Sequence, residues 1–138
     1  MANLWGYRGY IGSRAYMGQR TPQHIQNLVI RDFCQRTDKP YLLSVAEYAM
    51  ENCYIMLEEI LHELGKIEGI VLYSIFMLPE DPVRRVDTYQ KILSAGATMH
   101  GAAESLSVTN EQDTIRIEDI LRVNSLLSGS ETILEVPN

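Results

Sequence analysis

Apolar residues along the chain alternate between short continuous runs and longer stretches with helical spacing. The run over residues 69–75 (GIVLYSI) is uninterrupted and rich in β-branched residues, which predicts a strand covered on both faces in the middle of a sheet. Shorter apolar runs predict three more strands, over residues 4–11, 41–45 and 98–102.

Between and after these strands, apolar residues three and four apart predict four helices. Thr21 is a candidate N-cap for the first helix, with Pro22 at the first helical position. Asp81 and Pro82 stand in the same relation at the start of the third helix. The predicted helices cover about residues 22–36, 54–65, 82–96 and 109–129.

Strands that alternate with helices predict an α/β fold, here a single three-layer domain with a mostly parallel sheet of four to five strands and helices on both faces. We expect this domain over residues 1–128, followed by a C-terminal tail or short edge strand over 129–138. Ligands of such folds bind at the carboxyl ends of the strands. The loops expected to share that rim cover residues 12–20, 46–52, 76–81 and 103–110.

Composition narrows the function classes. The 138 residues contain no apolar stretch long enough to cross a membrane, and Cys34 and Cys53 are too few for a disulfide framework. We therefore expect a cytoplasmic protein with no membrane contact.

The net charge of -6 argues against non-specific binding to nucleic acid. Residues 1–36 nevertheless carry five arginines against the single acid Asp32, which leaves room for a local anion site.

Polar residues of the first loop favour an anionic ligand. The arginine guanidinium binds carboxylates and phosphates with two donors, and the start of the following helix adds free backbone amides. Ser13 follows a strand in a glycine-flanked turn and is a candidate nucleophile or ligand contact. The other expected ligand-binding residues are Arg8, Arg14, Gln19, Arg20, Gln23, Tyr73 and Ser74.

Acid and base candidates stand at the ends of the second and fourth predicted strands. These are Glu47 on one side and His100 with Glu104 on the other, with Tyr10 and Tyr73 as alternatives. The structural alternative is that Glu47 caps the following turn and that His100 is a hydrogen-bonded core residue. No dinucleotide-binding or phosphate-loop motif is present, so we expect no cofactor. Glu59 and His62 have the Glu-x-x-His spacing of helix-bundle metal sites, but a single copy on an acidic helix face predicts solvated side chains and no metal.

Two segments resemble the catalytic domain of resolvase-type serine recombinases. They are GYIGSR followed by QRTPQHIQ near the N-terminus, and GIVLYSIFMLPED followed by a helix and TMHGAAESLS. The resemblance implies the fold of that domain. Two departures argue against DNA strand exchange. Ser13 lies one residue closer to the strand tyrosine than in that family, and residues 76–80 (FMLPE) replace its acidic and arginine residues.

A closer resemblance covers nearly the whole chain. The blocks RGYIGSR, RTPQHIQNLVIRDFC, LLSVAEYAM and GIVLYSIFMLPED are similar to the small sporadic carbohydrate cluster proteins, a family named for genes of unusual bacterial surface sugars. This resemblance implies a part in making an activated or modified sugar, including sialic-acid-like sugars. It names no reaction.

These observations lead to one main hypothesis and two alternatives. The main hypothesis is an enzyme, homo-oligomeric, that acts on an anionic sugar or sugar nucleotide. Isomerisation, hydrolysis and group transfer all remain open. The first alternative is a non-catalytic subunit that dimerises through its acidic helices and supports or regulates a neighbouring sugar enzyme. It would show an exposed apolar stripe on the helix that holds Ile117, Ile120 and Leu121, and no enclosed pocket near Arg14. The second, weaker alternative is a DNA-processing enzyme.

Overall fold

A five-stranded sheet forms the centre of the computed structural model, which describes residues 5–16 and 19–135, with side chains through residue 127. The strands are β1 (Tyr7–Gly12), β2 (Tyr41–Glu47), β3 (Gly69–Leu72), β4 (Thr98–Gly101) and β5 (Leu106–Val108). Their order in the sheet is β2-β1-β3-β4-β5. The first four strands are parallel and β5 pairs antiparallel with β4. The predicted mostly parallel α/β domain is thus confirmed.

Helices cover both faces of this sheet, as the alternation of buried residues in β1 shows. Ile11 packs with Ile30 and Phe33 in one apolar cluster, whereas Tyr10 packs with Leu57 in the cluster on the other face. Side chains of the second, third and fourth helices contribute to that second cluster. The helices are α1 (Gln23–Arg36), α2 (Ile55–His62), α3 (Pro82–Ser94) and α4 (Glu111–Glu135).

Two predicted element boundaries need correction. Helix α1 begins at Gln23, with Pro22 at the N-cap and no side-chain cap. The Thr21 hydroxyl, the predicted cap, instead accepts from the Tyr73 hydroxyl at 3.4 Å. Strand β3 ends at Leu72, three residues before the predicted end, and Ile75–Met77 form a short 3-10 helix. The Ser74 hydroxyl accepts from the Phe76 amide and so starts that helix.

The C-terminal third also differs from the sequence prediction. Helix α4 continues to Glu135, through most of the segment predicted as a tail or short edge strand, whose residues 136–138 lie outside the described residues, and the strand at that edge of the sheet is β5. The predicted helix end near residue 129 is wrong, because a helical glycine such as Gly129 costs only about 1 kcal/mol. No helix in the described part of the chain has the length and apolarity that crossing a bilayer requires.

Candidate functional site

A cleft of about 500 Å³ opens at the carboxyl edge of the sheet. Three of the four loops expected on that rim line it, namely those that follow β1, β2 and β3. This is where an open parallel sheet places its ligand sites. The lining residues are Ser13, Arg14, Ala15, Tyr16, Arg20, Ala49, Glu51, Asn52, Tyr54, Phe76, Met77, Leu78 and Glu80.

Arg14 is the cationic centre of this cleft. Its guanidinium carbon lies 4.9 Å from the ring centroid of Tyr54 and 5.9 Å from that of Tyr16, within the range of cation–π attraction. Its Nε is buried and has no hydrogen-bond partner among the described residues, and the Tyr16 hydroxyl is in the same condition. Because buried polar groups are nearly always hydrogen-bonded, these two atoms mark Arg14 and Tyr16 as the residues of the cleft with unsatisfied polar groups.

Gln26 holds the loop that carries Ser13 and Arg14. This fully buried amide accepts from the Gly12 amide at 3.0 Å and donates to the carbonyl oxygens of Gly12 at 2.6 Å and Thr21 at 2.8 Å. It thereby continues the pairing of β1 beyond the strand end. Ser13 is exposed at the cleft, and its Oγ accepts from Gln23 Nε2 at 3.1 Å.

Glu47 and Tyr10 bind each other in the core and do not line the cleft. The Tyr10 hydroxyl donates to Glu47 Oε1 at 2.8 Å, and the carboxylate also accepts from the backbone amides of Met56 and Leu57 at the start of α2. Burial alone would raise the pKa of Glu47, but these hydrogen bonds together hold it below its ordinary value. The structural alternative, a capping carboxylate, therefore describes Glu47 better than an acid or base role does.

His100 lies in the core on the α1 face of the sheet, away from the cleft. Its ring packs against Tyr7 and Phe33, and its two nitrogens lie 2.7 Å from Ser107 Oγ and 2.9 Å from Thr98 Oγ1. Burial, together with the charge of Lys39, lowers its pKa to about 4. A neutral imidazole with both nitrogens engaged has no access to a ligand in the cleft.

Glu104, Ser74 and Tyr73 stabilise the segment after β3 and are absent from the cleft lining. Glu104 accepts from Ser74 Oγ at 2.6 Å and from the Ile75 amide at 2.9 Å. The Tyr73 hydroxyl donates to Thr21 Oγ1 at 3.4 Å. These contacts fix the backbone that presents the apolar wall of the cleft at Phe76.

The remaining predicted ligand contacts also fall into two groups, residues that line the cleft and residues that stabilise the fold elsewhere. Arg8 lies near the start of β1, where its guanidinium donates to both carboxylate oxygens of Glu63, at 2.8 and 2.9 Å. It is a structural ion pair, outside the cleft. Arg20 does line the cleft. Gln19 does not, and its backbone pairs with that of Tyr16 to close the first loop.

The sequence pattern did not predict several residues that line the cleft or hold the loop beside it. Tyr16 and Tyr54 stack on Arg14, and Gln26 holds the loop, although only the polar character of the first loop marked that region in advance. Tyr54 lies 40 residues along the chain from Arg14 in the numbering of the sequence. No local pattern could have paired them.

Comparisons with known proteins identify the fold of this chain. No protein-family model matches the chain, and no curated protein does. Among solved structures, the chain is similar to the N-terminal catalytic domain of TP901-1 integrase, with a TM-score of 0.56, 11% identity, and coverage of 90% of this chain and 98% of that one. It is also similar to a resolvase family site-specific recombinase from Streptococcus pneumoniae, with a TM-score of 0.58, 10% identity, and coverage of 94% and 97%. At such low identity the likeness concerns the fold, and the chain has the fold of a resolvase-like catalytic domain.

Proposed function

We propose that the cleft binds a small anionic ligand through Arg14, and that this ligand is a sugar acid, sugar phosphate or sugar nucleotide. The observation that carries the proposal is the buried Arg14 Nε without a hydrogen-bond partner. A carboxylate or phosphate oxygen is the acceptor that a guanidinium binds best. The choice of a sugar as the rest of the ligand rests on the resemblance of the sequence blocks to sporadic carbohydrate cluster proteins alone, because no family model matches the chain.

The other walls of the cleft suit a sugar. Phe76, Met77 and Leu78 supply an apolar surface, and Glu51 and Glu80 supply carboxylates that can accept hydrogen bonds from hydroxyl groups. A volume of about 500 Å³ also falls within the usual range for small-molecule sites. The cleft therefore combines one cationic end with surfaces for a polar, ring-containing body.

Binding is better supported than any particular reaction. Of the six nucleophile, acid and base candidates from the sequence, Ser13 alone lines the cleft. The described partner of its hydroxyl is the amide nitrogen of Gln23, which cannot take up a proton. Ser13 and Gln23 accordingly serve the proposed site as hydrogen-bonding groups, and the reaction type stays open.

A DNA-processing role is the second candidate, and the likeness to recombinase structures favours it. The charges favour the small ligand. Glu51 and Glu80 line the cleft, the whole chain carries a net charge of -6, and a duplex presents closely spaced phosphates that such carboxylates repel. Binding to a short duplex is therefore included in the test.

A non-catalytic interaction subunit is a further candidate. It predicts an exposed apolar stripe on the helix that holds Ile117, Ile120 and Leu121, and no enclosed pocket near Arg14. Ile117 is 1% exposed, and Ile120 and Leu121 pack partly into the core, but Ile115, Val123, Leu126 and Leu127 of the same helix are exposed. The cleft beside Arg14 is the observation that favours a ligand site over this subunit role.

Thermal unfolding of the purified protein tests the proposal against a sugar acid, a sugar phosphate, a nucleotide sugar and a short DNA duplex. A ligand at 100 times its Kd adds about 2.7 kcal/mol of stability, which is several degrees in Tm for a domain of this size. We expect a shift with one sugar class. In Arg14→Gln, affinity should fall by about 1.5 to 3 kcal/mol, or roughly 10- to 150-fold.

Arg116→Gln is the matched control, because it removes an exposed arginine of α4 that does not line the cleft. This variant should bind like the parent protein. Equal affinity in the parent and in Arg14→Gln would refute the proposed site. A shift with the duplex alone, falling steeply with salt, would support the DNA role instead.

A further inference from the structure

The outward face of α4 carries a row of residues that no part of the described structure covers. This outer stripe consists of Ile115, Asp119, Arg122 and Leu126, all four of them exposed. Their spacing of four, three and four positions keeps them on one side of a helix. Ile117, which is 1% exposed, lies about 200° around the helix axis from Ile115, at 3.6 residues per turn. The outer stripe therefore faces away from the core of the domain.

The two ends of the outer stripe are apolar, and its centre is charged. Ile115 is 61% exposed and Leu126 is 64% exposed, so most of each side chain lies in water, where its burial would be favourable. Neither Asp119 nor Arg122 forms an ion pair within the described residues. A groove between α3 and α4, lined by Val86 and Ile115 among others, adds apolar surface beside the stripe. Both the apolar surface and the charges thus lack a partner within the described part of one chain.

The order of residues in the outer stripe is complementary to itself when it is reversed. Let a second copy of α4 lie antiparallel, with a two-fold axis between positions 120 and 121. Asp119 of each copy then meets Arg122 of the other, and in the same register Ile115 of each copy meets Leu126 of the other. A two-fold interface needs this property, because each pair of residues has to meet twice. A parallel pair would instead place Asp119 opposite Asp119, where like charges repel.

The length and direction of α4 allow this arrangement. The helix has 25 residues, which is about 37 Å, and the antiparallel register overlaps residues 111–130 of the two copies. Spacing of three and four positions is that of the seam of a two-stranded coiled coil, in which helices cross at a small angle. Because the outer stripe faces away from the core, the two domains lie on opposite sides of the helix pair.

We propose that the outer stripe of α4 is the surface through which two copies of this chain form an antiparallel, two-fold dimer, with Asp119 and Arg122 paired across it. The inference does not use the proposed ligand site, because no residue of α4 lines the cleft. It gives the homo-oligomer predicted from the sequence a defined surface and register.

Sedimentation equilibrium of the purified protein tests the dimer and its charge pairs. We expect reversible dimerisation with a Kd of roughly 1 to 50 μM, since the outer stripe is small for a specific interface. Asp119→Arg places two arginines opposite each other, and Arg122→Asp does the same with two aspartates. Each variant alone should dimerise at least about thirtyfold more weakly than the parent protein. Mixed in equal amounts, the two variants should form a heterodimer of about the parent affinity, because every pair again joins opposite charges.

Lys66→Asp is the matched control, because it changes the net charge as much as Arg122→Asp does, at an exposed lysine outside α4. This variant should dimerise like the parent protein. The Tm of each variant verifies that it is folded, which we expect because the substituted side chains are exposed.

Disulfide cross-linking tests the register without a change of charge. Ile115→Cys mixed with Leu126→Cys should cross-link readily, because these positions meet in the antiparallel pair. Either variant alone should not, since the two copies of one position lie about 16 Å apart along the helix axes, too far for a disulfide. Cys34 and Cys53 are buried and should stay out of the reaction.

Several outcomes would overturn the inference. A parent protein that stays monomeric throughout the expected range of Kd does so. Asp119→Arg and Arg122→Asp variants that each dimerise as tightly as the parent, or whose mixture does not associate, place any dimer on another surface. Efficient cross-linking of either cysteine variant alone contradicts the antiparallel register. None of these outcomes alters the expected binding of an anion through Arg14, so the two proposals stand or fail separately.

Discussion

The cleft and the junction between α3 and α4 use the same residue types in opposite ways. At the junction, Arg85 donates to both carboxylate oxygens of Glu118 at 2.7 Å and to the carbonyl oxygens of Pro79 and Glu80. In the cleft, Arg14 has a buried Nε with no acceptor in the described part of the chain. An arginine whose donors have acceptors within the protein stabilises the fold, whereas an arginine with an unpartnered donor is available for a ligand.

The tyrosines of the two regions show the same difference. The Tyr89 hydroxyl donates to Glu118 at 2.5 Å, and burial together with that carboxylate raises its pKa. The Tyr16 hydroxyl is buried without a described partner. Proteins tolerate such unpaired groups chiefly where function uses them, at some expense of stability. The comparison therefore predicts stability effects at the junction and binding effects at the cleft.

The largest effect should follow from removing the acceptor at the junction. Glu118→Ala leaves the guanidinium of Arg85, whose side chain is 11% exposed, and the hydroxyl of Tyr89 without their partner. We expect a loss of about 2 to 4 kcal/mol in the free energy of unfolding, measured by urea denaturation. The matched control is Asp32→Ala, which breaks an exposed pair with Arg36 and should cost about 0.5 kcal/mol. Equal losses of unfolding free energy in Glu118→Ala and Asp32→Ala would contradict the distinction between arginines paired within the fold and arginines available for a ligand.

A pH titration of stability extends the comparison to His100, a buried group whose polar atoms are all paired. Its folded pKa of about 4 lies below the unfolded value of 6.5. As pH falls, the unfolded chain takes up the proton first, so stability is full above pH 6.5 and declines toward pH 4. Between pH 7 and pH 5 the loss should be roughly 2 kcal/mol.

Urea denaturation at several pH values measures this loss. We expect His100→Gln to abolish most of the decline between pH 7 and pH 5, while His62→Gln, which alters a histidine with a 77% exposed side chain, retains it. The depressed pKa of Glu47 acts at lower pH, because a carboxylate loses its contribution only as pH falls through its own range. An unchanged decline in His100→Gln would place the titrating group elsewhere.

The smallest effect on stability is expected in the cleft. Arg14→Gln removes cation–π contacts with Tyr54 and Tyr16 but no described ion pair, so the free energy of unfolding should change by less than about 1 kcal/mol. The same variant is expected to lose ligand affinity. A loss of more than about 2 kcal/mol in stability would instead make Arg14 a structural residue like Arg85, and the contrast between the regions would disappear.

Local elements could be predicted because their causes lie within a few residues. Asp81 accepts from the Val83 amide and Pro82 occupies the first turn of α3, as the sequence indicates. All four residues of β3 are buried, as expected from an uninterrupted β-branched run. Strand β5 was missed because a three-residue strand carries almost no periodic signal.

The candidate site could be predicted only in outline. The rim follows from the parallel sheet, and the first loop does bring Ser13, Arg14 and Arg20 to the cleft. The structure places neither His100, predicted as an acid or base, nor Arg8, predicted as a ligand contact, in the cleft. A histidine at a strand end has the same sequence pattern whether it faces the core or the cleft, and Arg8 pairs with Glu63, 55 residues away.

The sequence by itself determined the order of the first four strands and of the four helices, the mostly parallel α/β class and the edge of the sheet where the cleft lies. These follow from hydrophobic periodicity and capping residues, which act over a few positions of the chain. Only the tertiary structure decided which charged groups are satisfied. Glu47 accepts hydrogen bonds from Tyr10 and the start of α2, and Arg85 donates to Glu118, whereas the buried Nε of Arg14 has no described acceptor. Such pairing depends on distances between segments that are far apart in the chain. Only those distances distinguish the charged residues that stabilise the fold from the charged residues with unpartnered donors.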